Sequence, residues 1–88
     1  MQGIILHNID AEQALLGALI LDNSIIDDIP DNFCSYHFSA EIHAKIFDAI
    51  CKIRDYGSVA DPITIAAHLK SDDIFQKNGG KKYLLDLV

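Results

Sequence analysis

The chain has 88 residues, which suffices for one folded domain and leaves no room for two. Half of its residues are hydrophobic, and this composition argues against a disordered chain. Its formal net charge of −6 argues against independent nucleic-acid binding, because neutralising phosphates requires a basic surface.

The first predicted helix covers residues 11–22. Asp10 is the expected N-cap, and Gln13 stands three residues later, where a capping box places Glu or Gln. A glycine inside a helix costs about 1 kcal/mol relative to alanine, so Gly17 predicts that another backbone comes close. We expect the small side chains of this helix to pack inside the fold rather than between subunits: Ala11, Ala14 and Ala18.

A short second helix is predicted over residues 25–29, capped by Ser24 and ended by Pro30. A connection over 31–38 follows. We expect its three aromatic side chains to fold inward: Phe33, Tyr36 and Phe38.

The central helix has the strongest signal. Ser39 is its expected cap and Gly57 follows its end. Apolar residues recur at helical spacing and predict one buried face: Ile42, Ile46, Phe47, Ala49, Ile50 and Ile53. Two acid-before-base pairs four residues apart predict a solvated opposite face: Glu41 with Lys45, and Asp48 with Lys52.

Asp61 followed by Pro62 predicts the start of a fourth helix over 62–70. Its expected inward side chains are Ile63, Ile65, Ala66 and Leu69. Residues 71–73 begin one more helical turn, residues 78–80 interrupt the helical structure, and a last helix begins near Lys81. The apolar, uncapped final turn is typical of a fragment. The pattern predicts an all-α fold, a compact orthogonal bundle of five to six short helices, with residues 1–8 a flexible N-terminal segment and residues 9–88 the helical head.

Targeting and redox signals are absent from this sequence. Its first residues lack the positive charge and apolar length of a signal peptide, and no segment approaches the ~20 apolar residues of a membrane span. Two cysteines, Cys34 and Cys51, do not form a disulfide framework. We therefore expect a cytoplasmic protein with reduced thiols and no membrane partner.

The sequence contains no recognisable catalytic motif. The four histidines lack the ligand spacing of a zinc site: His7, His37, His43 and His68. We interpret His43 as a packed or capping side chain. The residues at 79–82 lack the other parts of a phosphate-binding loop, and the acidic side chains at 27, 28 and 31 are interpreted as a solvated helix end. We expect no catalytic, cofactor-binding or metal-binding residue in this chain.

A helix-turn-helix DNA-binding regulator is one alternative. Thr64–Leu69 resembles the first helix of that motif. The motif needs a following recognition helix with basic or amide side chains, whereas residues 71–80 are short and acidic.

Four segments together resemble the N-terminal domain of replicative DNA helicases of the DnaB type. They are residues 8–23 with an acid-Ala-Glu-Gln opening, then Phe38, His43 and Ile46-Phe47, then residues 57–69, and finally Gly79-Gly80 with Tyr83-Leu84 and Leu87. Ser39 and Ala44 depart from the family pattern, in which an aromatic and a basic residue stand at these positions. The departures weaken any transfer of surface contacts near that helix start.

The resemblance implies a helical head in the collar of a ring-shaped hexamer. Such a head pairs with copies of itself and docks primase and a helicase loader, without binding nucleic acid directly. A helical hairpin, a linker and a RecA-like ATPase domain that uses ATP and Mg would follow in the parent helicase, while the head holds no cofactor. A helical protein-interaction domain of another machine is a further alternative.

Overall fold

The computed structural model describes residues 8–88, which form five α-helices and two short 3₁₀ helices. The helices are α1 (Ile9–Leu21), α2 (Glu41–Asp55), α3 (Pro62–His68), α4 (Asp73–Lys77) and α5 (Lys81–Leu87). Since residues 8–88 contain no strand, the all-α prediction is confirmed. Residues 1–7, including His7 and most of the predicted flexible segment, lie outside the described residues.

Helix α1 begins two residues earlier than the sequence predicted. Its N-cap is Asn8, whose side chain accepts a hydrogen bond from the backbone N–H of Ala11 at 3.1 Å. The prediction of Asp10 as the cap was wrong, because Asp10 already lies in the first turn. Asn8 also satisfies the capping preference, so composition alone could not choose between the two.

The segment between α1 and α2 contains the two 3₁₀ helices, Asn23–Asp28 and Ser35–His37. The first is capped by Asp22, not by Ser24 as predicted, because the Asp22 carboxylate accepts from the Ser24 backbone and hydroxyl. Phe33 and Phe38 are buried as expected, but Tyr36 is 80% exposed and stacks on His37. The inward prediction for Tyr36 was therefore wrong.

Helix α2 supplies much of the core. All six side chains predicted for its buried face are buried, and they pack with Leu16 and Leu19 of α1. The outer face is mixed: Lys52 pairs with Asp48 at 3.5 Å, but Lys45 pairs with Asp72 at 2.9 Å instead of with Glu41.

The remaining helices pack around α2. Helix α3 contacts α2 and α5, α4 contacts α2, and α5 contacts α1. Asp61 caps α3 as predicted, in a reciprocal capping box with Thr64. Asp72 caps the extra turn, α4. Ile63 was predicted to face inward, but it is 66% exposed because it points away from the buried Ile65.

The Cα radius of gyration is 12.1 Å, close to the ~12 Å expected for a folded chain of this length. Among the helices of residues 8–88, none combines the length and the apolar character that crossing a bilayer requires.

Candidate functional site: a buried polar network

Three helices meet at a polar network inside the fold. Glu12 of α1 and His43 of α2 are both buried, at 0% and 1% exposure, and Glu12 Oε1 lies 2.7 Å from His43 Nδ1. On the other side of the imidazole ring, Nε2 lies 2.5 Å from the hydroxyl of Tyr83 on α5. Gln13 Nε2 donates to the same hydroxyl at 3.1 Å. The network therefore joins α1, α2 and α5.

The Glu12 carboxylate also serves the beginning of α2. The backbone N–H and the hydroxyl of Ser39 donate to Oε2 at 2.9 and 2.5 Å, and the Ala40 N–H donates to Oε1 at 3.3 Å. Ala40, the N-cap residue, cannot supply a side-chain acceptor of its own. A carboxylate from another helix thus replaces the local cap, and the prediction of Ser39 as the cap was wrong.

These contacts determine the charge of Glu12. Burial alone would raise its pKa, but hydrogen bonds from Ser39, His43 and Ala40 outweigh that effect and lower the pKa to about 2. An ionised carboxylate only accepts hydrogen bonds, so His43 Nδ1 must donate to Glu12. In the neutral tautomer that carries its proton on Nδ1, Nε2 accepts from Tyr83, and the Tyr83 oxygen accepts from Gln13; each polar side-chain atom named here has a partner.

The geometry superficially resembles a catalytic relay, with an acid orienting a histidine that contacts a hydroxyl. A nucleophile, however, needs access to a substrate. Glu12 and His43 are 0% and 1% exposed, so neither side chain offers that access in this arrangement. What the arrangement does is fix three helices in one relative position.

Two further contacts strengthen the same assembly. Gly17 is buried, and a Cβ atom built on it would overlap the carbonyl oxygen of Leu87 and lie 3.1 Å from the carbonyl carbon. The prediction of a close backbone at Gly17 is confirmed, and the backbone belongs to α5. Asn23 fixes the loop before α3, because its amide exchanges hydrogen bonds of 2.8 and 2.9 Å with the Ala60 backbone.

The alanine row of α1 follows the prediction only in part. Ala18 is half-buried, whereas Ala11 and Ala14 are exposed. These two side chains lie on the side of the helix away from the buried Leu16 and Leu19, so the expectation that the whole row packs inside was wrong for them.

The segments that carried the family resemblance converge on this assembly. Glu12 and Gln13 come from the first segment, His43 from the second and Tyr83 from the last, although up to 70 residues separate them in sequence. His43 is packed as interpreted. The burial of Glu12 was not predicted, and its only sign in the sequence is that one of two glutamates in an Asp-rich chain stands just before an apolar run.

No metal-binding cluster forms within residues 8–88, where no three His, Cys, Asp or Glu side chains are grouped suitably. Cys34 and Cys51 are both free thiols. Gly79 and Gly80 adopt positive φ angles of 110° and 59°, as a tight turn before α5 requires.

Comparison with known proteins gives a consistent result. Residues 4–88 match the model of the DnaB-like helicase N terminal domain. The chain is 41% identical to the replicative DNA helicase DnaB of Rickettsia felis over 81 residues, 92% of this chain and 16% of that protein. It is 32% identical to the replicative DNA helicase DnaB of Treponema pallidum over 82 residues, 93% of this chain and 19% of that protein.

A solved structure shares the fold. The crystal structure of the N-terminal domain of DnaB helicase from Mycobacterium tuberculosis aligns with a TM-score of 0.81 and 31% identity, over 91% of this chain and 58% of that one. The chain spans less than a fifth of the length of these curated relatives. The sequence match and the shared fold together show that the chain belongs to the DnaB-like helicase N-terminal domain family.

Proposed function

We propose that this chain is the non-catalytic head of the N-terminal collar of a hexameric replicative DNA helicase in the cytoplasm. It supports ring oligomerisation and docks primase and a helicase loader during DNA replication. The ATP-dependent, Mg-requiring unwinding of DNA belongs to the rest of the parent protein. The observation that carries the proposal is the match of the helical head as one unit, in sequence over residues 4–88 and in fold over 91% of the chain.

Two properties of the molecule support a scaffold role. The buried network and the Gly17 contact hold α1, α2 and α5 in one arrangement, which gives a rigid body for assembly. Large apolar side chains nevertheless remain exposed outside it, including Leu21 at 74% and Leu85 at 50%. Such side chains are typical anchors for protein partners when they cluster.

Primase binding is the direct test. We would titrate purified primase from the organism that encodes the chain into the 88-residue protein and follow the heat released. Saturable binding supports the proposal, and Leu21→Ser should weaken it more than the matched exposed change Ala14→Ser on the same helix. If primase gives no saturable signal with the unmodified chain, docking by this head is refuted.

A further inference from the structure

The charges of this chain are distributed very unevenly. All seven Lys and Arg residues lie at or after position 45, whereas seven of the thirteen acids precede it. Two copies of a chain with net charge −6 repel each other most strongly across the surface built from residues 8–44. A contact between copies is therefore favoured where acids and bases alternate.

The solvent side of α2 provides such a surface. We define the α2 charge stripe as Lys45, Asp48, Lys52 and Asp55. At 100° per residue these four positions fall on one side of the helix and span about 15 Å. Asp48 and Lys52 are 56% and 58% exposed, so the centre of the stripe is accessible.

The stripe is self-complementary in the antiparallel direction. If two copies meet about a two-fold axis near position 50, Asp48 faces Lys52 of the second copy and Lys45 faces Asp55 of the second copy. Each of these contacts occurs twice, because a two-fold interface uses the same patch on both subunits. A parallel alignment would instead place like charges opposite each other.

The surroundings of the stripe suit a second helix. Two cavities of about 320 and 460 Å³ border it and share Lys52 and His68 in their linings. The first cavity is lined mainly by charged and polar side chains, and Ala49 and Leu69 are its two apolar members. Tyr56 stands 84% exposed at one end of the stripe, and in the antiparallel arrangement it lies near Lys45 of the second copy, beside the first cavity. A tyrosine ring that lies against a lysine ammonium group is a favourable anchor.

We infer that the α2 charge stripe is a self-association surface, on which a second copy of this chain docks antiparallel about a two-fold axis near Asp48 and Lys52. The inference rests on the proposed collar function and assigns a surface to its self-association. Exposed ion pairs contribute little each, so the isolated contact is weak. A weak contact is sufficient in a ring, since tethered subunits face one another at about millimolar effective concentration.

Charge exchange tests the inference. Sedimentation equilibrium measures the average mass of the 88-residue chain over a concentration series. We expect this mass to rise with protein concentration and to fall when salt is added. Asp48→Lys puts like charges opposite each other twice and should weaken association about tenfold or more. The double variant Asp48→Lys with Lys52→Asp restores both contacts and should recover the original association.

Matched controls separate this face from others. Asp86→Lys changes the net charge equally and breaks a similar exposed pair, Lys82 with Asp86 on α5, so it should not weaken association. Tyr56→Ala should weaken association, whereas Tyr36→Ala, which alters an equally exposed tyrosine elsewhere, should not. Circular dichroism verifies that each variant is folded.

Three results would overturn the inference: a monomeric chain at all concentrations, equal effects of Asp48→Lys and Asp86→Lys, or a double variant that stays dissociated. None of them bears on primase docking, which is measured separately. Failure of this surface and failure of the proposed function are thus distinguishable.

Discussion

At Gly17, even the addition of a single Cβ atom should destabilise the fold. Any Cβ atom at this position meets the Leu87 carbonyl oxygen, which is backbone and cannot rotate away. We expect Gly17→Leu to lower the free energy of unfolding by about 1–3 kcal/mol, through overpacking and displacement of α5. Urea denaturation followed by circular dichroism measures the change.

Gly17→Ala sharpens this test. In an exposed helix alanine would stabilise the protein by up to about 1 kcal/mol, so a loss of stability at Gly17 can come only from the contact. The exposed site Ala14 provides the control, because Ala14→Leu should be close to neutral. Unchanged stability of Gly17→Leu would falsify the close packing of α1 on α5.

The ionised Glu12 side chain should make the free energy of unfolding depend on pH in the acidic range. Its pKa is about 2 in the folded protein against an ordinary value of 4.5, so its ionised form stabilises the fold. This contribution is complete above pH 4.5 and is lost as the pH falls toward 2. It amounts to about 3 kcal/mol at neutral pH.

The variant Glu12→Gln isolates the effect. Its amide group places donor against donor in the network, so we expect a loss of about 1–3 kcal/mol at pH 7. The difference in unfolding free energy from the unmodified protein should shrink as the pH is lowered from about 5 to about 2. Glu41→Gln, at an exposed glutamate, should show neither effect. A difference that stays constant over that pH range contradicts the role assigned to the charge.

At the scale of the element, the N-terminus of α1 has two residues suited to capping, Asn8 and Asp10, and only Asn8 caps the helix. The Asn8 side chain accepts a hydrogen bond from the Ala11 N–H, whereas Asp10 lies within the first turn of the helix. We expect Asn8→Ala to cost about 1 kcal/mol. Asp10→Ala should cost only about 0.3–1 kcal/mol, the contribution of an acid near a helix N-terminus. Thermal unfolding of both variants under one buffer condition gives the comparison, and the reverse order would restore Asp10 as the cap.

An element could be predicted from the sequence where the interactions that form it lie within one helix, and not where they come from another helix. The buried face of α2 and the cap Asp61 were predicted correctly from the sequence, because periodicity and capping act within one helix. Ile63 and Tyr36 were assigned inward on hydrophobicity alone, although their exposure depends on which helix lies opposite. Glu12 was unreadable for the same reason, since the groups that stabilise it belong to residues 39–43.

At the scale of the whole molecule, the expectation that the chain binds no nucleotide rests on the glycine turn before α5. The glycine turn before α5 has its N–H groups engaged: Gly79 donates to Gln76 and Gly80 to Phe75, at 3.2 and 3.0 Å. A phosphate-binding loop needs such groups free. We therefore expect the 88-residue chain to give no saturable calorimetric signal with ATP and Mg. Clear saturation would mean that residues 8–88 rearrange to bind a nucleotide.

The charge distribution of the whole molecule favours a scaffold role over DNA binding. Four of its seven bases lie within 4 Å of an acid: Lys45, Lys52, Arg54 and Lys82. Helix α4, which follows the candidate helix-turn-helix segment, has only five residues and is about 8 Å long, with Phe75 buried. A recognition helix must instead present several side chains to the major groove.

We therefore expect duplex DNA to bind the chain only weakly. Fluorescence anisotropy of a labelled duplex, titrated with protein at about 50 and 200 mM salt, measures the affinity and its salt dependence. Lys70→Glu and Lys77→Glu on the α3–α4 side should leave the anisotropy unchanged. Submicromolar affinity that falls steeply with salt and is lost in these variants would establish the DNA-binding alternative. In that case the α3–α4 surface contacts phosphate, and the acidic remainder of the molecule must face away from the duplex.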